Sequence, residues 1–298
     1  MALGKFKTWH AMIGTAGLFL VSASASSQSA TRGPALESPR LYVLDGGVLA
    51  SDPLRYRLTV DDVSETALSI ASYLIAHPRG VLLWDAGAIA DAERISPDAA
   101  VEQRVVRADG NPRFVTLGPP LANQLAASGF RPADVTHLAL SHYHWDHTAD
   151  ANTFAHALWL VTETEREKMF SAEPPGGTRP GTYEALEGAS VLILDEEEHD
   201  VFGDGTVVIR QAPGHTEGHL VLYVKLARTG GIVLSGDLYH YPQERTLNRL
   251  PTFDVSEAQT AASREDVEEL ISSTGAELWI QHDLVHHRRL RLAPAYYE

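Results

Sequence analysis

The chain reads as an α/β protein. Short apolar runs bounded by turn residues recur through both halves, and helical stretches follow each group of runs. Histidines and aspartates able to hold a metal fall where the runs end, so that a rigid sheet can aim them. At 298 residues, 44% hydrophobic and 21% charged, the chain is long and apolar enough to bury a large core.

The elements follow in order. Lys5 and Lys7 precede an apolar stretch from Ala11 to Val21, and Ala23-Ser24-Ala25 supplies a small-residue cleavage pattern. Residues 1–25 therefore read as a secretory signal peptide. The apolar run is shorter than the ~20 residues a membrane anchor needs. Export to the periplasm or beyond is expected, with no stable membrane anchor after cleavage. Residues 26–40, rich in Ser, Pro and Ala, read as a flexible lead-in, and residues 41–298 as one domain. Leu41–Leu44 and Gly46–Ala50 read as strands about a Gly-Gly turn. Ser69–Ala76 and Val81–Trp84 read as a hairpin across His77-Pro78-Arg79-Gly80. Ala86–Pro120 reads as a long irregular segment, functional or a dimer contact. A short helix is expected over Leu121–Ser128, then strands over Val135–Leu140 and Ala157–Val161, a charged helix over Glu163–Phe170 and a breaker-rich loop over Glu173–Gly181. Further strands are expected over Val191–Leu194, Thr206–Gln211, His219–Leu226, Ile232–Ser235 and Leu278–Gln281. Between the last two lies an amphipathic helix over Ser256–Ser273, with Ser256 as its cap.

Composition removes several function classes. The net charge of −15 argues against nucleic acid, which needs concentrated Lys and Arg, and no polybasic membrane patch is present. With no cysteine, thiolate metal sites, iron–sulfur clusters, disulfides and a cysteine nucleophile are excluded. Any metal must be held by nitrogen and oxygen. There is no GxSxG elbow, no GxxxxGK[ST] loop and no GxGxxG fingerprint.

The strongest signal is Ser141-His142-Tyr143-His144-Trp145-Asp146-His147, directly after an apolar strand. His142 and His144 alternate, so in extended chain they point the same way. Asp146 and His147 follow as the chain is expected to turn into a helix. Four metal-capable groups in so short a loop favour two adjacent metals. Three more candidates stand at strand ends: His215 in Pro213-Gly214-His215-Thr216, Asp237 after Ser235-Gly236, and His282 after Leu278–Gln281. A carboxylate between two histidine groups suits a dinuclear site, because it bridges both ions and offsets their charge. His10, His77, His137, His156 and His199 read as structural or exposed. His219, Asp45 and Asp85 read as supporting or turn-forming groups, and Trp145 as core packing.

HxHxDH, a lone His in a PGHT turn, an Asp in an SGD turn and a distal His resemble the metallo-β-lactamase superfamily, and within it most of all the N-acyl homoserine lactonases. The resemblance covers residues 41 to 298 in motif order. It implies an αββα sandwich of two mixed β-sheets flanked by helices. It also implies a ligand set: His142, His144 and His215 at one metal, Asp146, His147 and His282 at the other, and Asp237 between them. Zinc is the ion implied first; all-N/O ligation also suits cobalt, manganese or iron. Lactonases of this type carry a tyrosine three residues after the bridging Asp. Here His240 stands there, with Tyr239 and Tyr241 beside it as equal candidates for polarising the substrate carbonyl.

The implied chemistry is hydrolysis of a lactone or ester by a metal-bridging hydroxide, with Asp146 relaying a proton to the leaving oxygen. Apolar residues of the 86–120 and 170–185 loops are expected to form a slot for an acyl tail. Rival readings on the same scaffold are an organophosphate triester hydrolase, a β-lactamase and a glyoxalase II-like thioesterase. The thioesterase takes an anionic substrate, and no basic cluster lies near the motifs. A non-catalytic periplasmic metal-binding protein is the rival of a different class.

Overall fold

A computed structural model describes residues 1–4 and 36–298. The expected signal peptide and most of the lead-in fall outside the described residues. One compact unit runs from Leu36 to Glu298, and among the described residues no helix is long and apolar enough to cross a membrane.

Two sheets form the framework. The first contains β1 (Arg40–Leu49), β2 (Leu68–His77), β3 (Gly80–Trp84), β4 (Glu102–Val106), β5 (Pro112–Leu117), β6 (His137–Ala139), β7 (Leu158–Val161) and β8 (Val191–Ile193), in the order β4-β5-β1-β2-β3-β6-β7-β8. The second contains β9 (Glu198–Asp200), β10 (Val207–Gln211), β11 (Leu220–Leu226), β12 (Gly230–Leu234) and β13 (Glu277–Trp279), in the order β13-β12-β11-β10-β9. Both are mixed: β3, β6, β7 and β8 run parallel, as do β12 and β13, and the remaining pairs are antiparallel.

Period-two alternation decides which side chains meet. Leu41, Val43, Tyr73, Ile75, Leu82 and Trp84 of the first sheet pack against Ile209, Leu222, Val224, Ile232, Leu234 and Trp279 of the second. The neighbours Tyr42, Leu44, Leu74 and Leu83 face the other way, onto a layer that includes α1 (Leu121–Ala127) and α2 (Glu163–Met169). β2 is buried at all ten positions because both its faces are covered. On the outer face of the second sheet, Val221 and Val233 pack with Val267 of the long helix Glu257–Thr274. The result is the αββα sandwich. That helix is α4, following α3 (Pro242–Thr246) and preceding α5 (Leu284–His287). Ser256 caps α4 by accepting the Gln259 N–H, and Gly275 ends it in the left-handed region (φ +68°).

Four expectations are corrected. Gly46-Gly47 is not a turn but a bulge within one continuous strand: the register to β2 slips between Asp45 and Gly47, and the ladder resumes at once. Glycine is needed there, since Gly47 has φ +107° and a Cβ would strike the backbone of β5. The 86–120 segment is not irregular, because β4 and β5 pair as a hairpin around Asp109-Gly110 and extend the sheet. No α-helix follows His147; the chain makes turns and then a single 3-10 turn, Ala151–Phe154. The lead-in also ends sooner than expected, since Arg40 already belongs to β1 and Leu36 packs on the outer core.

Candidate metal centre

The site lies at one end of the sandwich, where β3, β6, β12 and β13 release the chain. Asp85 follows β3, His142–His147 follow β6, Asp237 follows β12 and His282 follows β13, while His215 sits in the turn between β10 and β11. Parallel strands in each sheet deliver their C-terminal ends to the same edge, so metal candidates up to 140 positions apart in the chain (His142 to His282) converge there.

Seven side chains come together in two groups about one carboxylate. His144 Nδ1 lies 2.8 Å from His142 Nε2 and 3.0 Å from His215 Nε2. Asp237 Oδ2 faces this trio, 3.3 Å from His215 Nε2 and 3.5 Å from His142 Nε2. Its other oxygen, Oδ1, faces the second group, 3.0 Å from His282 Nε2 and 3.1 Å from His147 Nε2. Asp146 Oδ2 completes that group, 3.9 Å from His282 Nε2.

Hydrogen bonds behind the rings fix which nitrogen points inward. His147 Nδ1 donates to Asp85 at 2.8 Å, His215 Nδ1 to Asp254 at 2.9 Å and His282 Nδ1 to the Ser69 carbonyl at 2.6 Å. Each Nε2 therefore turns a bare lone pair into the site, the usual way ligating histidines are oriented. Burial and the neighbouring imidazoles push His142 and His144 well below the ordinary imidazole range, so both are neutral. Burial alone would raise Asp237, but the surrounding imidazoles, His282 foremost, hold its carboxyl well below the usual range. Converging lone pairs at about 3 Å repel one another unless a cation sits among them. Nε2 of His147 and Oδ1 of Asp237 are buried with no hydrogen-bond partner, a cost that a coordinated ion removes. The donor set thus fits two divalent cations: imidazole and carboxylate, with no thiolate.

The supporting residues lock the loops. Asp85, held at φ +60°, accepts from Ser141 N, Ser141 Oγ, His147 Nδ1 and Gln281 Nε2. Those bonds hold a left-handed conformation that costs a non-glycine residue about 1–3 kcal/mol. Buried Glu165 accepts from Tyr143 N, Thr216 Oγ1 and Gly218 N, tying the HxHxDH loop to the PGHT turn. Its burial outweighs these bonds and pushes its carboxyl up to about 7. His219 bridges the Ala212 carbonyl and the Asp237 N–H, as a supporting group rather than a member of the seven. From the breaker-rich loop, the Gly177 carbonyl accepts the Trp145 N–H at 3.0 Å. A Cβ on Gly177 would collide with the His144 ring.

The structure brings the seven metal candidates together; it does not bring the two tyrosines to them. Tyr239 turns away from the site into the packing under α4, its hydroxyl on Glu268 and its ring under the Arg264 guanidinium. Tyr241 donates to the Thr66 carbonyl and packs edge-on against Tyr56. Neither lines the cavity over the site, so neither can polarise a carbonyl there. Extended chain at Tyr239 and Tyr241 sends those side chains away from the one between them. His240 occupies the place instead, with Nε2 3.0 Å from Asp237 Oδ2 and its ring parallel to His282 at 5.4 Å. Burial opposes its charge, but Asp237 and Glu244 outweigh burial and raise it to about 10. Asp254 gave no signal in the sequence; no motif or spacing links it to His215. Asp254→Asn should weaken cation binding about 10–100-fold. Competition against a chromophoric chelator measures this, and unchanged affinity would remove Asp254 from the site.

The cavity above the seven residues holds about 260 Å³. Leu49, Tyr56, Leu68, Trp145 and Phe253 supply its apolar wall. The 86–120 and 170–185 loops do reach it, but not as the expected apolar slot: they contribute Arg107, Asp109, Arg113, Gly176 and Gly177. Alternation along the hairpin sends Val105, Val115 and Leu117 into the core behind, leaving polar groups toward the opening.

The family model described as the metallo-beta-lactamase superfamily matches residues 66–276. The chain belongs to the metallo-beta-lactamase superfamily. As a member, it is a metal-dependent hydrolase. The N-acyl homoserine lactonase AttM of Azorhizobium caulinodans is 28% identical over 275 residues, covering 87% of this chain and 98% of that protein. The N-acyl homoserine lactonase AiiA of Bacillus thuringiensis subsp. kurstaki is 23% identical over 262 residues, covering 86% and 98%. Among solved structures, an N-acyl homoserine lactone hydrolase with N-hexanoyl-L-homoserine at its catalytic metal center superposes with a TM-score of 0.69 at 19% identity, covering 88% of this chain and all of that one. AidC, a dizinc quorum-quenching lactonase, gives a TM-score of 0.60 at 17% identity, covering 83% and 88%. These likenesses show a shared fold.

Proposed function

We propose that this superfamily member hydrolyses N-acyl homoserine lactones, opening the ring ester to the N-acyl homoserine and so quenching quorum signals. The observation that carries the reading is Asp237, one carboxylate with an oxygen turned to each of two donor groups beneath a small-molecule cavity. The lactonase relatives, matched over nearly their whole length, supply the substrate class.

Two divalent cations, zinc by analogy with the dizinc AidC, would supply a Lewis acid for the carbonyl and a water of lowered pKa. His142, His144, His215 and Asp237 would hold one, and His147, His282, Asp146 and Asp237 the other. The chain's own groups do the rest. The apolar wall of Leu68, Trp145 and Phe253 seats the ring and excludes water from around it. His240 donates Nε2–H to Asp237 and fixes the bridging carboxylate in place. Water oxygen bonds to the carbonyl carbon, the ring C–O bond breaks, and the ring oxygen takes a proton. Asp146 lines the cavity beside His282 and is placed to take the proton that the attacking water sheds and pass it to the ring oxygen. The lysines and apolar run of residues 1–25 support action outside the cytoplasm.

The test is a substrate panel on protein carrying two equivalents of metal: acyl homoserine lactones, simple aliphatic lactones, a paraoxon-type triester, nitrocefin and a glutathione thioester. Acyl homoserine lactones should be turned over fastest. Failure to open any lactone while fully metallated would overturn the reading.

A further inference from the structure

The cavity above the metal centre is lined by both signs of charge: Asp146 and Asp237 belong to the metal donors, Asp109 is paired with Arg107, and two further arginines stand beside them. Overall the chain is −15, yet Arg55, Arg107 and Arg113 all line the one opening above the metal centre. They come from two regions far apart in sequence: Arg55 from the 3-10 turn Pro53–Tyr56, Arg107 from the turn directly after β4 and Arg113 from β5. Arg107 pairs with Asp109 at 2.5 Å, and its Nε is buried without an acceptor. Among the described residues, neither Arg55 nor Arg113 has a carboxylate within ion-pair distance. Arg55 is held against the wall with its guanidinium 4.3 Å from the centre of the Phe253 ring. Arg113 donates only to the neighbouring Pro112 carbonyl. Burial, with the nearby Arg107 and Arg55, lowers Arg113 from its ordinary value, against the opposing pull of Asp146 and Asp109. A guanidinium nevertheless stays charged in proteins. Like charges gathered on a half-buried wall are unfavourable by themselves and become favourable when an anion arrives among them.

Resting on the lactonase reading, we propose that Arg55 and Arg113, backed by Arg107, form an anion subsite that selects lactones whose acyl arm ends in a carboxylate over those with a plain alkyl arm. Two features point to a short arm. The cavity of about 260 Å³ has room for a homoserine lactone ring and a few methylenes. Beyond the apolar wall, an extending arm meets guanidinium groups rather than a continuing hydrophobic slot. The subsite belongs to the substrate, not to the bond being broken, so it acts on choice among lactones.

A matched pair tests it: N-hexanoyl homoserine lactone, and N-adipoyl homoserine lactone, in which the terminal methyl is replaced by a carboxylate. The metallated wild-type enzyme should favour the adipoyl compound by about tenfold or more in kcat/KM, the size of one charge-assisted pair. The preference should shrink as salt is raised. In R55Q/R113Q the ratio should fall to about one or below. Arg104→Gln removes the same charge from an exposed position on the same hairpin, outside the cavity, and should keep the wild-type ratio. Equal kcat/KM for the pair in the wild type, or an equal loss of ratio in R104Q, overturns the subsite. Failure to open either lactone overturns the lactonase reading instead. The subsite is then decided by calorimetry with adipic acid monoamide and hexanamide: tighter binding of the acid, lost in R55Q/R113Q, upholds it, and equal binding refutes it.

Discussion

Replacing Asp237 with asparagine should strip the enzyme of its cations and its activity together. The two carboxylate oxygens face separate donor groups at 3.0–3.5 Å. An amide keeps one acceptor, turns N–H donors toward bare imidazole lone pairs and removes the negative charge that offsets two dications. Losing several kcal/mol of transition-state stabilisation corresponds to a fall in kcat/KM on the order of a thousandfold. Metal content by elemental analysis should drop below two equivalents in the same preparation. Near-normal metal and near-normal turnover in Asp237→Asn would show that the carboxylate bridges nothing.

Chelation should destabilise the fold as well as silence it. The donors come from loops after β6, β10, β12 and β13, so cations bound among them would cross-link both sheets. Without them, His147 Nε2 and Asp237 Oδ1 are buried and unsatisfied. An ion that binds only the folded chain, at a free concentration a thousand times its Kd, stabilises by about 4 kcal/mol. At ~2–4 °C per kcal/mol for a domain of this size, Tm should fall by roughly 10 °C on exhaustive chelation. Calorimetry before and after chelation, with zinc added back, measures it. A Tm unmoved by verified metal loss would mean that the site is preformed without strain and the ions are only guests.

The correction at residues 239–241 shows where pattern reading stops. A resemblance supplies the position after the bridging aspartate, but side-chain direction depends on local backbone dihedrals. Two extended residues flanking His240 send both tyrosines into packing and leave the imidazole facing the cavity. The hairpin at 102–117 makes a related point. Its alternation, with Gln103 and Val105 buried and Glu102, Arg104 and Val106 exposed, is hidden by charged residues and by Pro112. Its edge position in the sheet makes those exposed residues acceptable. The arginines also looked scattered, because closeness in sequence is not closeness in space.

By itself the sequence determined the strand-rich α/β framework, the thiol-free donor set and the histidines and aspartates at strand ends that made the seven metal candidates. Those depend on side-chain chemistry and on local periodicity, which one chain displays directly. Only the tertiary structure decided that Asp237 faces both groups and that Asp85 and Asp254 aim the imidazoles. It alone put His240 rather than a tyrosine in the cavity and brought Arg55, Arg107 and Arg113 to its rim. Each of these depends on which strand ends meet and which way a side chain leaves its backbone, properties fixed by the packing of two sheets rather than by neighbours along the chain.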